Sequence, residues 1–155
     1  MRSLLVAMLA LIASIGSVSA SEGEVVLTLK NADQVHEFTV EDLRSIGERE
    51  IVTTTIWSEG EQSFVGVSLD RLLAETGVEG QTLEAAAVND YAVEIPTSDA
   101  QPGGPIIAYM RNGNLMSLRD KGPLWVIYPY DSDVAFRTEE VYSRSIWQLN
   151  RITVK

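Results

Sequence analysis

The sequence contains few of the residue types on which covalent or metal chemistry depends. It has no cysteine and one histidine, His36. Thiol catalysis, thiolate metal sites and iron–sulfur clusters are therefore excluded. Zinc sites and serine hydrolases normally require imidazole, so a single histidine disfavours both. We assign His36 no functional role, and we expect the function to depend on non-covalent binding by aromatic and charged side chains.

Aromatic and charged side chains lie at several predicted turns and strand ends. Trp57 comes at the end of a β-branched run, just before a polar turn, and Asp90 and Tyr91 lie on a tight turn. Residues 119–121, Arg-Asp-Lys, precede Gly122-Pro123 in a predicted loop. Loops on a rigid scaffold are where ligand-binding groups usually lie. These positions are the first candidates for a site.

Each candidate also has a purely structural interpretation. Asp90 is an ordinary turn residue, and Arg119 and Asp120 can pair on the surface, where a salt bridge contributes only about 0–1 kcal/mol. Trp125 lies within an apolar strand and is expected in the core. Trp147 can face either side of its strand.

Hydrophobic periodicity predicts the elements that position these residues. Runs of β-branched or alternating apolar residues predict strands over residues 25–29, 51–57, 83–88, 91–95, 106–110, 124–128 and 146–154. Thr39 and Ser68 are expected to cap two short helices that end at Gly47 and Gly77. Asn112-Gly113 predicts a hairpin turn. Because strands outnumber the short helices and their order is mixed, the sequence predicts an α+β fold with a mostly β, mixed-sheet core.

The first 20 residues have the pattern of a cleaved signal peptide. Arg2 provides a positive start, residues 4–15 form an unbroken apolar run, and residues 18–20, Val-Ser-Ala, precede the cleavage point. The run is shorter than the roughly 20 residues that a membrane anchor needs. We therefore expect residues 21–155 to form a single periplasmic domain that is not inserted in the membrane.

The charge balance restricts the partners. The formal net charge is −10, and removal of Arg2 with the signal peptide makes it one unit more negative. Nucleic acids and anionic membrane surfaces repel such a protein. We expect neither as a partner, although an acidic balance also serves solubility alone.

Several motifs in a fixed order resemble a known family. They are Val-Gly-Val-Ser-Leu at 65–69 leading to Leu72-Leu73, Asn-Asp-Tyr at 89–91, Ile-Ala-Tyr at 107–109 before Asn112-Gly113, Arg-Asp-Lys-Gly-Pro-Leu-Trp at 119–125, and the terminal Trp147 strand. Their order resembles the molybdopterin-binding domain of the sulfite oxidase superfamily. The resemblance covers nearly all of residues 21–155.

The resemblance implies a ligand rather than a metal centre. In the enzymes of the superfamily a cysteine thiolate binds molybdenum, on the strand and loop that here run through Trp57 and Ser58, and this sequence has no cysteine. The small exported members of the superfamily, which are classed as pterin-binding proteins, share the 119–125 and Ile-Trp-Gln-Leu segments. This implies a non-enzymatic periplasmic pterin-binding protein without a metal. Its partner would be the periplasmic domain of an inner-membrane protein that makes or degrades cyclic di-GMP and so affects biofilm formation.

A pterin requires an aromatic face, an acceptor for its amine and ring N–H, and a donor for its carbonyl. We expect Trp57 or Tyr91 to stack on the ring, Asp90 to accept from the amine edge, and Arg119 to bind the carbonyl, with Arg144 as a second cation. Tyr130 lies in the Tyr-Pro-Tyr-Asp-Ser-Asp segment at 128–133, which suits a pocket rim or a partner surface. The full predicted ligand-binding set is Trp57, Asp90, Tyr91, Arg119, Asp120, Tyr130, Arg144 and Trp147.

Two other functions stay open at this point. The protein could be a molybdopterin-binding oxidoreductase subunit or a remnant of one. It could also be a module whose pocket is empty and whose surface alone matters. Ligand and metal content distinguish the three.

Overall fold

The computed structural model describes residues 23–155 of the chain. The predicted signal peptide lies outside these residues. The strands are β1 (Leu27–Lys30), β2 (Val35–Phe38), β3 (Glu48–Thr53), β4 (Gln62–Ser68), β5 (Thr82–Ala87), β6 (Ala92–Pro96), β7 (Ile106–Arg111), β8 (Asn114–Leu115), β9 (Trp125–Ile127) and β10 (Leu149–Val154). The helices are α1 (Val40–Ile46), α2 (Leu69–Thr76) and α3 (Glu139–Arg144).

The strands form two five-stranded sheets. The first has the order β2-β1-β10-β5-β6 and is mixed, because β1 and β10 run parallel and the other pairs are antiparallel. In the second, β4 lies between β3 and β7, and β7 pairs on its other side with both β8 and β9. The predicted α+β class with a mostly β, mixed-sheet core is confirmed.

Local signals account for the two predicted helices. At α1 the Thr39 hydroxyl accepts from the Asp42 backbone N–H at 3.2 Å, and the Asp42 carboxylate accepts from the Thr39 backbone N–H at 2.8 Å. This capping box satisfies two of the N–H groups that a helix start leaves without partners. Gly47 and Gly77 end α1 and α2 as predicted. Ser68 precedes α2, but its side chain makes no capping hydrogen bond.

Two predicted strands are too long. β3 ends at Thr53 rather than at Trp57, because the Asp131 carboxylate accepts from the Thr54 backbone N–H at 2.6 Å and from its hydroxyl at 2.7 Å. These hydrogen bonds lower the pKa of Asp131 and draw the chain out of the sheet. The last strand begins at Leu149 rather than at 146, since Gln148 adopts a left-handed φ of 52°.

The sequence interpretation missed β2, β4 and α3. It treated the second half of β4 only as the segment that leads into α2. The β2 strand is short and lies at the edge of its sheet, where Val35 is 65% exposed, so it lacks a clear apolar alternation. The α3 helix had a usable signal. Thr138 accepts from the Val141 backbone N–H at 3.3 Å, and Glu139 and Glu140 lie in the first turn, where acidic residues are favoured.

Candidate functional site: an aromatic, uncharged pocket

A pocket of about 390 Å³ opens where the β5–β6 turn, α3 and the segment before β10 meet the Trp57 turn. Its volume lies within the range of small-molecule sites. The lining combines four aromatic residues, four uncharged polar residues and two aliphatic ones. They are Trp57, Tyr91, Tyr142 and Trp147; Asn89, Ser143, Ser145 and Gln148; and Ala87 and Ile146.

Trp57 stands at the centre of the aromatic wall. Its ring makes edge-to-face contacts at 5.8 Å with Trp125, Tyr142 and Trp147, and at 6.2 Å with Tyr130. Aromatic pairs prefer this geometry because ring edges are positive and ring faces negative. The pocket wall is therefore continuous with the hydrophobic core.

The turn that holds Trp57 is built by hydroxyl groups. The Trp57 backbone N–H donates to Thr55 Oγ1 at 3.1 Å, and Thr55 Oγ1 and Ser58 Oγ lie 2.7 Å apart. Such hydroxyl-to-backbone bonds replace the sheet hydrogen bonds that this segment gives up after Thr53. They turn the Trp57 ring inward, whereas a continued β3 strand would have carried it along the sheet edge.

Ser145 joins the pocket floor to the buried aromatic residues. Its hydroxyl accepts from the Tyr130 hydroxyl at 2.6 Å and donates to the Val141 carbonyl at 2.9 Å. Its carbonyl accepts from Trp125 Nε1 at 3.1 Å. Burial raises the pKa of Tyr130 to about 12. This side of the pocket is therefore preorganised before any ligand binds.

Three of the predicted ligand-binding residues meet in this pocket. Trp57, Tyr91 and Trp147 all line it. Tyr91 is 60% exposed at the mouth, whereas Trp57 and Trp147 are half-buried. Trp125, which the sequence predicted to be in the core, is fully buried. The structure thus brings together the predicted stacking residues.

The predicted polar residues lie elsewhere. Asp90 does not line the pocket. Its carboxylate instead accepts a hydrogen bond from Arg151 Nη2 at 2.5 Å. Arg119 and Asp120 are exposed on a short 3-10 helix, and Asp120 accepts from the Ser117 hydroxyl at 2.7 Å. Within the described residues no ion pair joins Arg119 to Asp120.

Tyr130 and Arg144 have structural positions behind the wall. Tyr130 is 1% exposed, so it forms no rim of the pocket. Arg144 Nη1 donates to Asp99 at 3.1 Å, and its Nη2 binds Glu140. The Asp99 carboxylate also accepts from the Tyr128 hydroxyl at 2.7 Å, and burial and this carboxylate raise the pKa of Tyr128. Arg144 therefore attaches α3 to the end of β6 instead of pointing into the pocket.

The fold is similar to that in the crystal structure of the sulfane dehydrogenase SoxCD from Paracoccus pantotrophus, with a TM-score of 0.64 and 19% sequence identity. The match covers 90% of this chain and 40% of that one. The likeness shows the fold alone. It agrees with the predicted α+β fold class. No family model matches the sequence, and no curated protein does.

Two further properties concern residues 23–155. No helix in this range is long and apolar enough to cross a membrane. The same range contains no group of three or more histidine, aspartate or glutamate side chains placed to hold a metal ion.

The predicted ligand-binding set contains three of the ten residues that line the pocket and lacks the other seven. The sequence indicates Asn89 only as a turn residue and Gln148 only as a strand residue. It gives no role to Tyr142 and Ser143 of α3, or to Ser145 directly after the helix. The capping signal at Thr138 indicates a helix that contains Tyr142, four residues before the predicted strand over 146–154. The polar residues of the site are amides and hydroxyls, which no charge pattern identifies.

Arg144 provides a first test of how the pocket wall is held. We expect Arg144→Met to lower the free energy of unfolding by about 1–3 kcal/mol, because it leaves the Asp99 carboxylate, whose side chain is 19% exposed, with one hydrogen bond fewer. Urea unfolding followed by tryptophan fluorescence measures the change. Glu140→Gln is the control, since Glu140 is 74% exposed and should matter little. Equal stability of Arg144→Met and Glu140→Gln would contradict the role given to Arg144.

Proposed function

We propose that this protein is a non-enzymatic pterin-binding protein of the bacterial periplasm. The composition of the pocket supports this proposal most, because the pocket combines four aromatic side chains with uncharged polar groups. Stacking of a comparable nucleobase on an aromatic side chain contributes about 1–3 kcal/mol. A flat, polar bicyclic ring is the class of ligand that such a pocket fits.

The polar groups of the pocket complement the pyrimidine edge of a pterin. Asn89 Oδ1 accepts from the Tyr91 backbone N–H at 3.2 Å, which leaves Nδ2 to donate to the ligand carbonyl. Gln148 Nε2 donates to the Leu118 carbonyl at 2.8 Å, which leaves Oε1 to accept from the ligand amine or ring N–H. Ser143 Oγ donates to the Glu140 carbonyl at 2.7 Å and can accept as well. Two amides thus replace the carboxylate and guanidinium that the sequence suggested.

The uncharged lining distinguishes a free pterin from molybdopterin. Molybdopterin carries a phosphate, and phosphate sites are built from arginine, lysine or clustered backbone N–H groups. None of the residues that line the described pocket is charged. Of the nearby cations, Arg144 is held by Asp99 and Glu140, and Lys121 stacks on the Trp147 ring. The uncharged lining therefore favours a free pterin over molybdopterin, and it offers no thiolate for molybdenum.

We also propose a membrane partner for the ligand-bound protein. It is the periplasmic domain of an inner-membrane enzyme that makes or degrades cyclic di-GMP. This rests on the sequence resemblance and on the predicted export. A neighbouring gene that encodes a periplasmic domain joined to cytoplasmic cyclic di-GMP domains would support it.

The ligand content of the purified protein tests the proposed function. We expect protein isolated from the periplasm to release, on denaturation, a compound with pterin fluorescence at about one equivalent per chain, without molybdenum in elemental analysis. Molybdenum near one equivalent would instead support the oxidoreductase subunit or remnant. Absence of any ligand, together with no binding of several added pterins, would overturn the proposal and favour a module with an empty pocket.

A further inference from the structure

Residues 117–122 form a surface loop that is fastened to the pocket wall at three points. The Gln148 backbone N–H donates to the Lys121 carbonyl at 2.9 Å, and Gln148 Nε2 donates to the Leu118 carbonyl at 2.8 Å. Lys121 Nζ lies 3.9 Å from the centre of the Trp147 ring, a cation–π distance. All three contacts end on Trp147 or Gln148, and both residues line the pocket. The position of the 117–122 loop therefore depends on two residues that a bound ligand would touch.

The Gln148 side chain can contact the loop and the ligand at the same time. Its Nε2 donates to the loop, while its Oε1 has no hydrogen-bond partner in the described part of the chain. An amide that accepts a hydrogen bond at its oxygen becomes a stronger donor at its nitrogen, because the two bonds polarise the same group. A ligand N–H donated to Oε1 thus strengthens the bond from Nε2 to the Leu118 carbonyl.

We propose that Gln148 transmits occupancy of the pocket to the 117–122 loop. This inference rests on the proposed function, since it requires a ligand with an N–H group at the pocket. In this relay, a ligand N–H donates to Gln148 Oε1, and Gln148 Nε2 donates to the Leu118 carbonyl. Ligand binding therefore holds the loop more tightly. The loop is accessible to a partner protein, because Leu118 is 54% exposed and Arg119 is exposed next to it.

Hydrogen–deuterium exchange of the whole purified protein, with and without saturating biopterin, tests the relay. The amides of Asp120 and Gly122 donate to the Ser117 carbonyl at 2.9 and 2.7 Å and report on loop opening. We expect biopterin to slow exchange in a peptide that covers the loop by up to about twofold, the effect of one strengthened hydrogen bond on a local opening. The exposed β2 edge, on another part of the first sheet, serves as an internal reference and should not change.

Two variants separate the relay from ligand binding itself. Gln148→Glu keeps an acceptor for the ligand but has no donor for the Leu118 carbonyl. Gln148→Asn suits the left-handed backbone at this position, but its side chain is one methylene too short for the same bond. In both variants biopterin should bind more weakly but still saturably, because Gln148 contacts the ligand while the aromatic residues still stack on it. At saturation the loop should no longer be protected.

Each outcome of this experiment is decisive. If the unmodified protein binds no biopterin, the proposed function fails and the relay with it. If biopterin binds but the loop exchanges at its original rate, only the relay is overturned. Protection that persists in both variants, or loss of biopterin binding in both, would also overturn it, since the relay assigns Gln148 to transmission and the aromatic residues to most of the affinity.

Discussion

Trp57→Ala is expected to lower the free energy of unfolding by about 3–5 kcal/mol, the usual cost of truncating a packed aromatic side chain to alanine. The Trp57 ring contacts four other rings, two of which belong to the fully or nearly fully buried residues Trp125 and Tyr130. Its removal opens a cavity between the pocket and the core. Urea unfolding monitored by circular dichroism measures the loss.

The control for this prediction is Trp57→Phe, which keeps an aromatic ring in the cluster and should cost clearly less than the alanine variant. A loss below about 1 kcal/mol for Trp57→Ala would mean that the residue is a replaceable pocket wall and not part of the core. Ligand affinity should fall together with stability in the alanine variant. Trp57 is therefore a poor position for testing the binding site alone.

Tyr91→Ala is the variant that isolates ligand binding, and we expect it to weaken biopterin binding about tenfold or more. Tyr91 lines the pocket but is 60% exposed, and in the described residues its ring packs against no other aromatic ring. The free energy of unfolding should therefore change little. Isothermal titration calorimetry and urea unfolding of the same preparation give both quantities.

Two controls accompany the Tyr91 measurement. Tyr91→Phe retains the stacking face and should bind biopterin within about twofold of the unmodified protein. Asp90→Asn replaces the neighbouring carboxylate, which contacts Arg151 and not the pocket, with a residue that also tolerates its left-handed φ of 68°. A tenfold loss in Asp90→Asn with no loss in Tyr91→Ala would reverse our assignment of the site.

Local sequence signals were sufficient for the elements whose ends are set by nearby residues. The capping box of α1 joins Thr39 to Asp42, three residues away, and Gly47 ends the helix. The turn between β5 and β6 likewise depends on Asn89 and Asp90, which lie within it. These features were predictable because the interactions that form them are local.

Features that depend on distant partners could not be predicted. The end of β3 is set by Asp131, 77 residues from Thr54, and α3 is attached through Asp99, 45 residues from Arg144. An arginine beside a predicted pocket has the same sequence signature whether it binds a ligand or a buried carboxylate. Only the distances showed that Asp99 holds Arg144.

The candidate site was predicted in its aromatic part and not in its polar part. Trp57, Tyr91 and Trp147 could be identified because large rings near turns and strand ends are few in this sequence. The amides of Asn89 and Gln148 are common polar residues, and their orientations depend on backbone groups that only the fold brings near them. The sequence therefore indicated three aromatic residues that the structure brings together in one pocket, but it assigned them charged partners that the structure places elsewhere.

The most direct test of the central claim, that the uncharged pocket binds a free pterin, is a calorimetric titration of the ligand-free protein with biopterin and with a phosphorylated pterin. We predict saturable binding of biopterin at one equivalent per chain. The phosphorylated compound should bind at least about tenfold more weakly, because none of the residues that line the pocket is positively charged and can offset desolvation of a phosphate. Tighter binding of the phosphorylated compound, or no saturable binding of biopterin, would contradict the claim.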